Sequence, residues 1–132
     1  KAFDSVSHSH IIAVLKQKGV DVQIINLIGD LYNNIFTSIK MKNGYTEAIG
    51  IKSGVKQGDP MSPILFNLCI YPLLCKLENS PKGFQVGNTK ISTMAFADDL
   101  VLLSNLWEGM EDNLKILEEF CHLTGLKINV QK

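Results

Sequence analysis

The chain is 132 residues long, 45% apolar and 20% charged, which is about one domain's length and excludes an intrinsically disordered tail. Its thirteen basic residues are all Lys and thirteen acids balance them, so bulk charge points neither to a nucleic-acid partner nor to an acidic one. The distribution is uneven: residues 1–97 carry ten Lys against six acids, residues 98–132 three Lys against seven, and Lys40, Lys42, Lys52 and Lys56 have only Glu47 in their neighbourhood.

Ser5 or Ser7 suits the cap of a first helix with Ile11, Val14 and Leu15 on one face, and Gly19 supplies a left-handed stop. Asp21 caps a second, whose stripe of Ile24, Ile25, Ile28, Leu31, Tyr32 and Ile35 has helical spacing; Asn33 and Asn34 end it. From Phe36 the period changes to two, and Asn43-Gly44 between FTSIKMK and YTEAIGI predicts a hairpin with a tight turn. A polar, Gly-containing loop covers 52–60. Ser62-Pro63 then opens a helix over 64–77 in which Pro72 should make a kink. Strands over 84–86 and 90–97 flank a Gly87-Asn88 turn, and another strand covers 100–103. A last helix over 106–123 places Leu106, Met110, Leu114, Leu117 and Cys121 on one face and stops at Gly125. Residues 126–130 read as a strand, and Trp107 reads as core. With no internal repeat, low-complexity tract or linker, these elements make one α+β unit, open at both ends.

Cys69, Cys75 and Cys121 are odd in number, match no metal or redox spacing, and sit in apolar runs, so buried reduced thiols in an intracellular protein are expected. No apolar run reaches the roughly 18 residues of a membrane span and no signal-peptide pattern opens the chain, which points to a soluble protein with no membrane partner. The first residue is Lys rather than Met, and Lys132 directly follows a strand-like run, as in a piece of something larger.

The adjacent acids in AFADDLVLL are the anomaly. Asp98 and Asp99 fall at a hairpin tip between strands whose Met94, Phe96, Leu100, Val101, Leu102 and Leu103 point to burial, where uncompensated charge is costly. They read either as a solvated turn or as a divalent metal site, since Mg²⁺ takes one or two carboxylates plus substrate phosphates. In SGVKQGDPMSPILFN, residues 53–67, Gly54 and Gly58 let backbone approach a ligand, Lys56 offers charge, and Gln57 offers donors and an acceptor. The same string also serves as an ordinary loop leading into a helix.

KAFDSVSH, GVKQGDPMSPILFN, FADD and GLKINVQK, in this order and spacing, resemble the polymerase domain of reverse transcriptases over essentially the whole chain. The likeness is greatest to non-LTR retrotransposons, particularly site-specific clades. The resemblance implies a palm-type antiparallel sheet packed against helices with part of the fingers, an incomplete domain over 1–132 that lacks the thumb and upstream fingers. It implies RNA-directed DNA synthesis: two Mg²⁺ ions, an RNA template, a DNA primer and deoxynucleoside triphosphates, with access to the nucleus.

Carried over residue by residue, Asp98 matches the metal-binding Asp of the polymerase hairpin and Asp99 its neighbour, with a less direct role. Gln57 matches the glutamine that contacts the incoming nucleotide, with Gly58 beside it. Phe3 matches the aromatic gate that excludes a ribose 2′-hydroxyl, and Lys132 the lysine that neutralises or protonates the leaving pyrophosphate. In the family pattern D-x-x-K-A-F-D the first Asp binds metal, and here it would precede Lys1. The 132 residues alone are therefore expected not to polymerise, and the other reading is a polymerase-derived remnant that binds RNA without catalysis. Asp4, the last Asp of that pattern, is expected to hold the turn into the first helix. His8, His10 and His122 read as surface or cap residues. Lys40, Lys42 and Lys52 read as a phosphate-tracking surface or as a solvated strand face.

Overall fold

The computed structural model describes residues 2–129. A 3₁₀ turn, Ala2–Asp4, leads into α1 (His8–Gln17) and α2 (Val22–Asn33). Both helices start where a side-chain oxygen accepts from a first-turn N–H. Ser7 accepts from the His10 amide at 3.1 Å and Asp21 from that of Gln23 at 2.7 Å. Gly19, at φ 70°, turns the chain between them. Val6, Ile11, Leu15, Ile25, Ile28, Tyr32, Val55, Leu65, Phe66 and Cys69 form the main core. On α2 only part of the expected stripe is buried: Ile25, Ile28 and Tyr32 are inside, whereas Ile24 and Leu31 are exposed. Residues at i, i+3 and i+7 make one line along a helix, and only that line meets the core.

The hairpin after α2 is split in two. Its outer ladder pairs β1 (Phe36–Thr37) with β4 (Ile49–Gly50), and its inner ladder pairs β2 (Lys40–Met41) with β3 (Gly44–Tyr45). Between them the Ile39 amide donates to the Thr46 hydroxyl instead of a carbonyl, at 3.0 Å. The turn also sits one residue earlier than expected: Met41 pairs with Gly44, leaving Lys42 and Asn43 at the corner. Gly44 lies at φ 134°, a conformation open to glycine, so it serves the closing pair rather than the corner.

Helix α3 (Ser62–Glu78) carries Pro63 in its first turn, where the missing N–H costs nothing, and continues through Pro72 to Glu78. Then come β5 (Phe84–Val86) and β6 (Thr89–Ile91), joined by the expected Gly87-Asn88 turn, and β7 (Thr93–Phe96) paired with β8 (Asp99–Leu102). The single strand expected over 90–97 is interrupted at Ser92, which is buried and whose carbonyl accepts from the Leu103 amide at 2.9 Å. Among the described residues all pairings are antiparallel, in four two-stranded ladders, and with four α-helices they make an α+β fold.

Helix α4 (Trp107–Thr124) ends at Gly125, which sits at φ 79°. Its docking differs from the expected apolar face. Trp107 is 73% exposed, its indole N–H donating to Glu111 at 2.9 Å, and Leu106 is exposed too. The buried positions at this end are Gly109 and Asn113, because close approach there needs small or polar residues. A Cβ on Gly109 would meet the Ser104 hydroxyl and lie 2.7 Å from Lys82 Cβ and 2.9 Å from the Lys82 carbonyl oxygen. Lys82 donates to Glu108 at 2.7 Å and Asp112 at 2.8 Å. Those hydrogen bonds hold the Lys82 ammonium above its ordinary range, and Lys82 in turn holds the Asp112 carboxyl below its own.

Residues 126–129 join no ladder among the described residues, contrary to the strand expected over 126–130, the last of which lies outside them. Leu126 packs on the main core instead, and its amide reaches the Thr124 hydroxyl at 3.4 Å. No helix of the described residues is long and apolar enough to cross a membrane. The tight seat of α4 sets an expected outcome for Gly109→Ala: a loss of about 1–3 kcal/mol by overpacking, read by denaturant unfolding, with Gly29→Ala in α2 as an uncrowded helical control.

Candidate active site

The segment before α1 and the loop before α3 are bonded to each other through the backbone. The Val55 amide donates to the Phe3 carbonyl at 2.8 Å and the Gly54 amide to that of Val6 at 2.7 Å, while Ser7 and Ser53 form an isolated antiparallel bridge. Gly54 has φ 91°, and a Cβ there would lie 2.8 Å from both the Cα and the carbonyl oxygen of Asp4, so only glycine fits. His8 adds a cross-link, its Nε2–H donating to the Gly54 carbonyl at 3.0 Å while its ring meets Tyr32 edge-on, centroids 5.0 Å apart.

This docking gathers three residues singled out from the sequence. Phe3, Gln57 and Gly58 line one shallow cavity of about 310 Å³ with Val55, Lys56 and Pro60. Phe3 is half-buried and lies flat on Phe66 of α3, ring centroids 4.2 Å apart and planes 12° apart. Gln57 is exposed and donates from Nε2 to Asp4 Oδ1 at 3.1 Å. Asp4 thus reaches across to the loop, a longer connection than the local turn expected for it.

Phe66 also shares a cavity with the β7–β8 hairpin. Phe96 pairs with Asp99, so the tip consists of Ala97 and Asp98 alone, and Asp99 belongs to β8. Ala97 holds a left-handed φ of 51°, a conformation L-residues adopt at a cost. The burial expected for these strands is absent on one face: Phe96 is 84% exposed, and Met94, Val101 and both aspartates are exposed. Leu100 and Leu102, at alternate positions, are half-buried. Exposed carboxylates stay hydrated, so the desolvation cost that called for a compensating cation does not arise.

Asp98 and Asp99 line a second cavity of about 440 Å³, walled by Phe66, Leu102, Leu117 and Phe120. Phe66 therefore stacks on Phe3 and borders the carboxylate cavity as well. Two adjacent carboxylates are the hard oxygen donors that Mg²⁺ prefers, and Mg²⁺ is commonly held by one or two of them plus substrate phosphates. No group of three or more His, Cys, Asp or Glu placed to hold a metal ion is found among the described residues. The pair fits a shared site completed by a ligand, and does not form an all-protein cage.

Asp4, His8 and Phe66 were not assigned these roles from sequence. His10 is likewise more than a cap: its Nε2–H donates to the Cys69 carbonyl at 2.9 Å and its ring packs on Phe120. For Asp4 and His8 the sequence signal is the position of KAFDSVSH ahead of a helix, which does not say which loop it meets; Phe66 belongs to the segment 53–67, which does not say what its ring stacks on. The three thiols are unpaired; Cys69 is buried, Cys75 and Cys121 are half-buried, and burial pushes Cys69 up to about 12. Lys40, Lys42 and Lys52 are exposed. Lys132 lies outside the described residues.

The model of one protein family, reverse transcriptase (RNA-dependent DNA polymerase), matches residues 1–132. Three relatives are similar over the whole chain. A retrovirus-related Pol polyprotein from the type-1 retrotransposable element R2 of Popillia japonica is 41% identical over 134 residues. One from the type-2 element R2DM of Drosophila melanogaster is 39% identical over 132 residues, and one from the type-1 element R2 of Nasonia vitripennis is 37% identical over 132. The chain covers 19%, 12% and 13% of these proteins, respectively.

The left-handed residue at the hairpin tip makes a direct expectation. Ala97→Gly should leave stability unchanged or raise it by up to about 1 kcal/mol, while Ala97→Val should lower it by about 1–3 kcal/mol. Thermal unfolding of both variants checks it.

Proposed function

This chain belongs to the reverse transcriptase (RNA-dependent DNA polymerase) family, and from that premise we propose that the protein copies an RNA template into DNA by adding deoxynucleotides to a primer 3′-hydroxyl. The observation that carries the proposal is the link made by Phe66, which lines the cavity of Asp98 and Asp99 and stacks on Phe3, itself a wall of the cavity that Gln57 and Gly58 line.

In the proposed reaction the 3′-oxygen of the primer attacks the α-phosphate of a deoxynucleoside triphosphate in line, loses its proton, and pyrophosphate leaves. Asp98, with Asp99 beside it, would hold divalent metal, which when bound would supply activation of the attacking oxygen and stabilisation of the leaving one. The chain's own residues position the nucleotide. Gln57 hydrogen-bonds it, Gly58 admits it close to backbone, and Phe3 fills the volume a ribose 2′-hydroxyl needs. That selection works by exclusion, so it requires no contact to the deoxyribose itself. Phe3 suits such a gate because its ring is fixed in place against Phe66. Lys132 is assigned to charge neutralisation on the departing pyrophosphate.

Two expected outcomes test this in the full-length protein. Asp98→Asn keeps size and hydrogen bonding but removes charge, and should lower primer extension on an RNA template at least a thousandfold, several kcal/mol of barrier, while RNA binding by filter retention stays near wild type. Equal extension by the variant would overturn the metal assignment; RNA binding with no extension even by the wild-type protein would favour the non-catalytic RNA-binding reading. Phe3→Val should raise the use of ribonucleotides relative to deoxynucleotides, on the order of tenfold or more, measured as the ratio of kcat/KM values. An unmoved ratio would make Phe3 a core residue only.

A further inference from the structure

Resting on the reading of Gln57 as a nucleotide contact, we infer that Asp4 is a positioning residue that fixes which end of the Gln57 amide meets the nucleotide. A carboxamide is two-sided, with donors on nitrogen and an acceptor on oxygen, whereas an ionised carboxylate only accepts. Gln57 Nε2 donates to Asp4 Oδ1 at 3.1 Å. The opposite amide orientation would set oxygen against oxygen, so Asp4 draws the nitrogen to itself and turns Oε1 away.

The carboxylate can do this because its own backbone is held. The carbonyls of Phe3 and Val6, on either side of it, accept from the Val55 and Gly54 amides at 2.8 and 2.7 Å. Ser53 Oγ donates to the Asp4 carbonyl at 3.4 Å, and Gly54 packs on the Asp4 backbone too closely for a Cβ. Gln57, by contrast, is an exposed side chain followed by Gly58 at φ 81°. Without a tether such a side chain samples several rotamers and both amide faces, and ordering it on each binding event costs entropy. Asp4 removes that cost and presents an acceptor to the cavity that Gln57 lines. An acceptor selects a ligand donor, a sugar hydroxyl or a base N–H, over a bare phosphate oxygen. The sequence separation of 53 residues makes this link invisible to local patterns.

The test is a mutant cycle in the full-length protein: single-nucleotide incorporation on an RNA template and DNA primer by wild type, Gln57→Ala, Asp4→Ala, Asp4→Asn and the Asp4→Ala/Gln57→Ala double variant. Gln57→Ala should raise the KM for the deoxynucleotide, and Asp4→Ala should raise it about fivefold with little change in kcat. Asp4→Asn keeps the tether but, being itself two-sided, admits both orientations of the Gln57 amide, and should recover only part of the loss. In the Gln57→Ala background Asp4→Ala should add nothing, because the partner it orients is gone. A full Asp4→Ala effect persisting there, or a fall in kcat relieved by raised Mg²⁺, would overturn the inference and make Asp4 an independent or metal-directed group. No effect of Asp4→Ala beside a clear effect of Gln57→Ala would overturn it as well. No effect of Gln57→Ala would overturn the underlying reading of Gln57, a separate result visible in the first variant alone. Thermal unfolding accompanies each variant; should Asp4→Ala fail to fold, Asp4→Ser, whose hydroxyl is too short to reach Gln57, takes its place in the cycle.

Discussion

The backbone contact at Gly54 is the constraint on which the geometry of the cavity lined by Phe3, Gln57 and Gly58 depends. The Gly54 amide and that of Val55 donate to the Val6 and Phe3 carbonyls, and the missing Cβ of Gly54 is what lets the Asp4 backbone lie against it. Each such bond is worth only roughly 1 kcal/mol net, but together they join segments about 50 residues apart. The loop before α3 inherits its position from them, and with it Gln57 and Gly58. His8 extends the same join from α1, so the first helix, the 3₁₀ turn and the loop act as one body.

Phe66 couples this body to the carboxylate hairpin. It is almost wholly buried in the α1–α2–α3 core, yet it stacks on Phe3 and contributes to the wall of the cavity that Asp98 and Asp99 line. A flat aromatic ring with little room to move makes an inflexible spacer, since close-packed interiors transmit displacement and do not absorb it. The hairpin is anchored at its far end by different means. The Ser92 carbonyl accepts from the Leu103 amide, Ser104 Oγ donates to the Lys82 carbonyl at 2.7 Å, and Asn113, wholly buried, reaches the Leu103 carbonyl at 3.5 Å. The tip is thereby free to remain exposed while the base is held.

Polar cross-links concentrate where α4 docks. Lys82 meets Glu108 and Asp112, and Lys76 meets Glu119 at 2.6 Å. These pairs are largely solvent-exposed, so their contribution is small and salt-sensitive. The hydrogen bond from Lys82 lowers the Asp112 carboxyl, and that from Lys76 lowers Glu119. The sign follows from linkage: a carboxyl depressed in the folded state stabilises above its unfolded value and loses that contribution as pH falls through the folded one. The acid-rich end of the chain is thus tied to the Lys-rich part before it, which is how an overall neutral composition is organised in space.

Local signals in the sequence determined most of the elements. Ser7 and Asp21 capped α1 and α2 where capping chemistry said they would, Gly19 after α1 and Gly125 after α4 took left-handed conformations, and the Gly87-Asn88 turn joined its two strands. These features depend on neighbours within a few residues, so sequence alone specifies them. The motifs around Phe3, Gln57 and Asp98 likewise identified the family. What tertiary structure decided was exposure and partnership. Trp107 and Phe96 are outside although apolarity argued for the core, because which side of an element finds a packing partner is settled by other elements. Asp99 moved from the turn into the strand because Ala97 accepted a left-handed φ. Asp4 and Gln57, and His8 and Gly54, are partners across 53 and 46 residues. Such contacts exist only once the chain has closed on itself, and no periodicity or spacing along it encodes them.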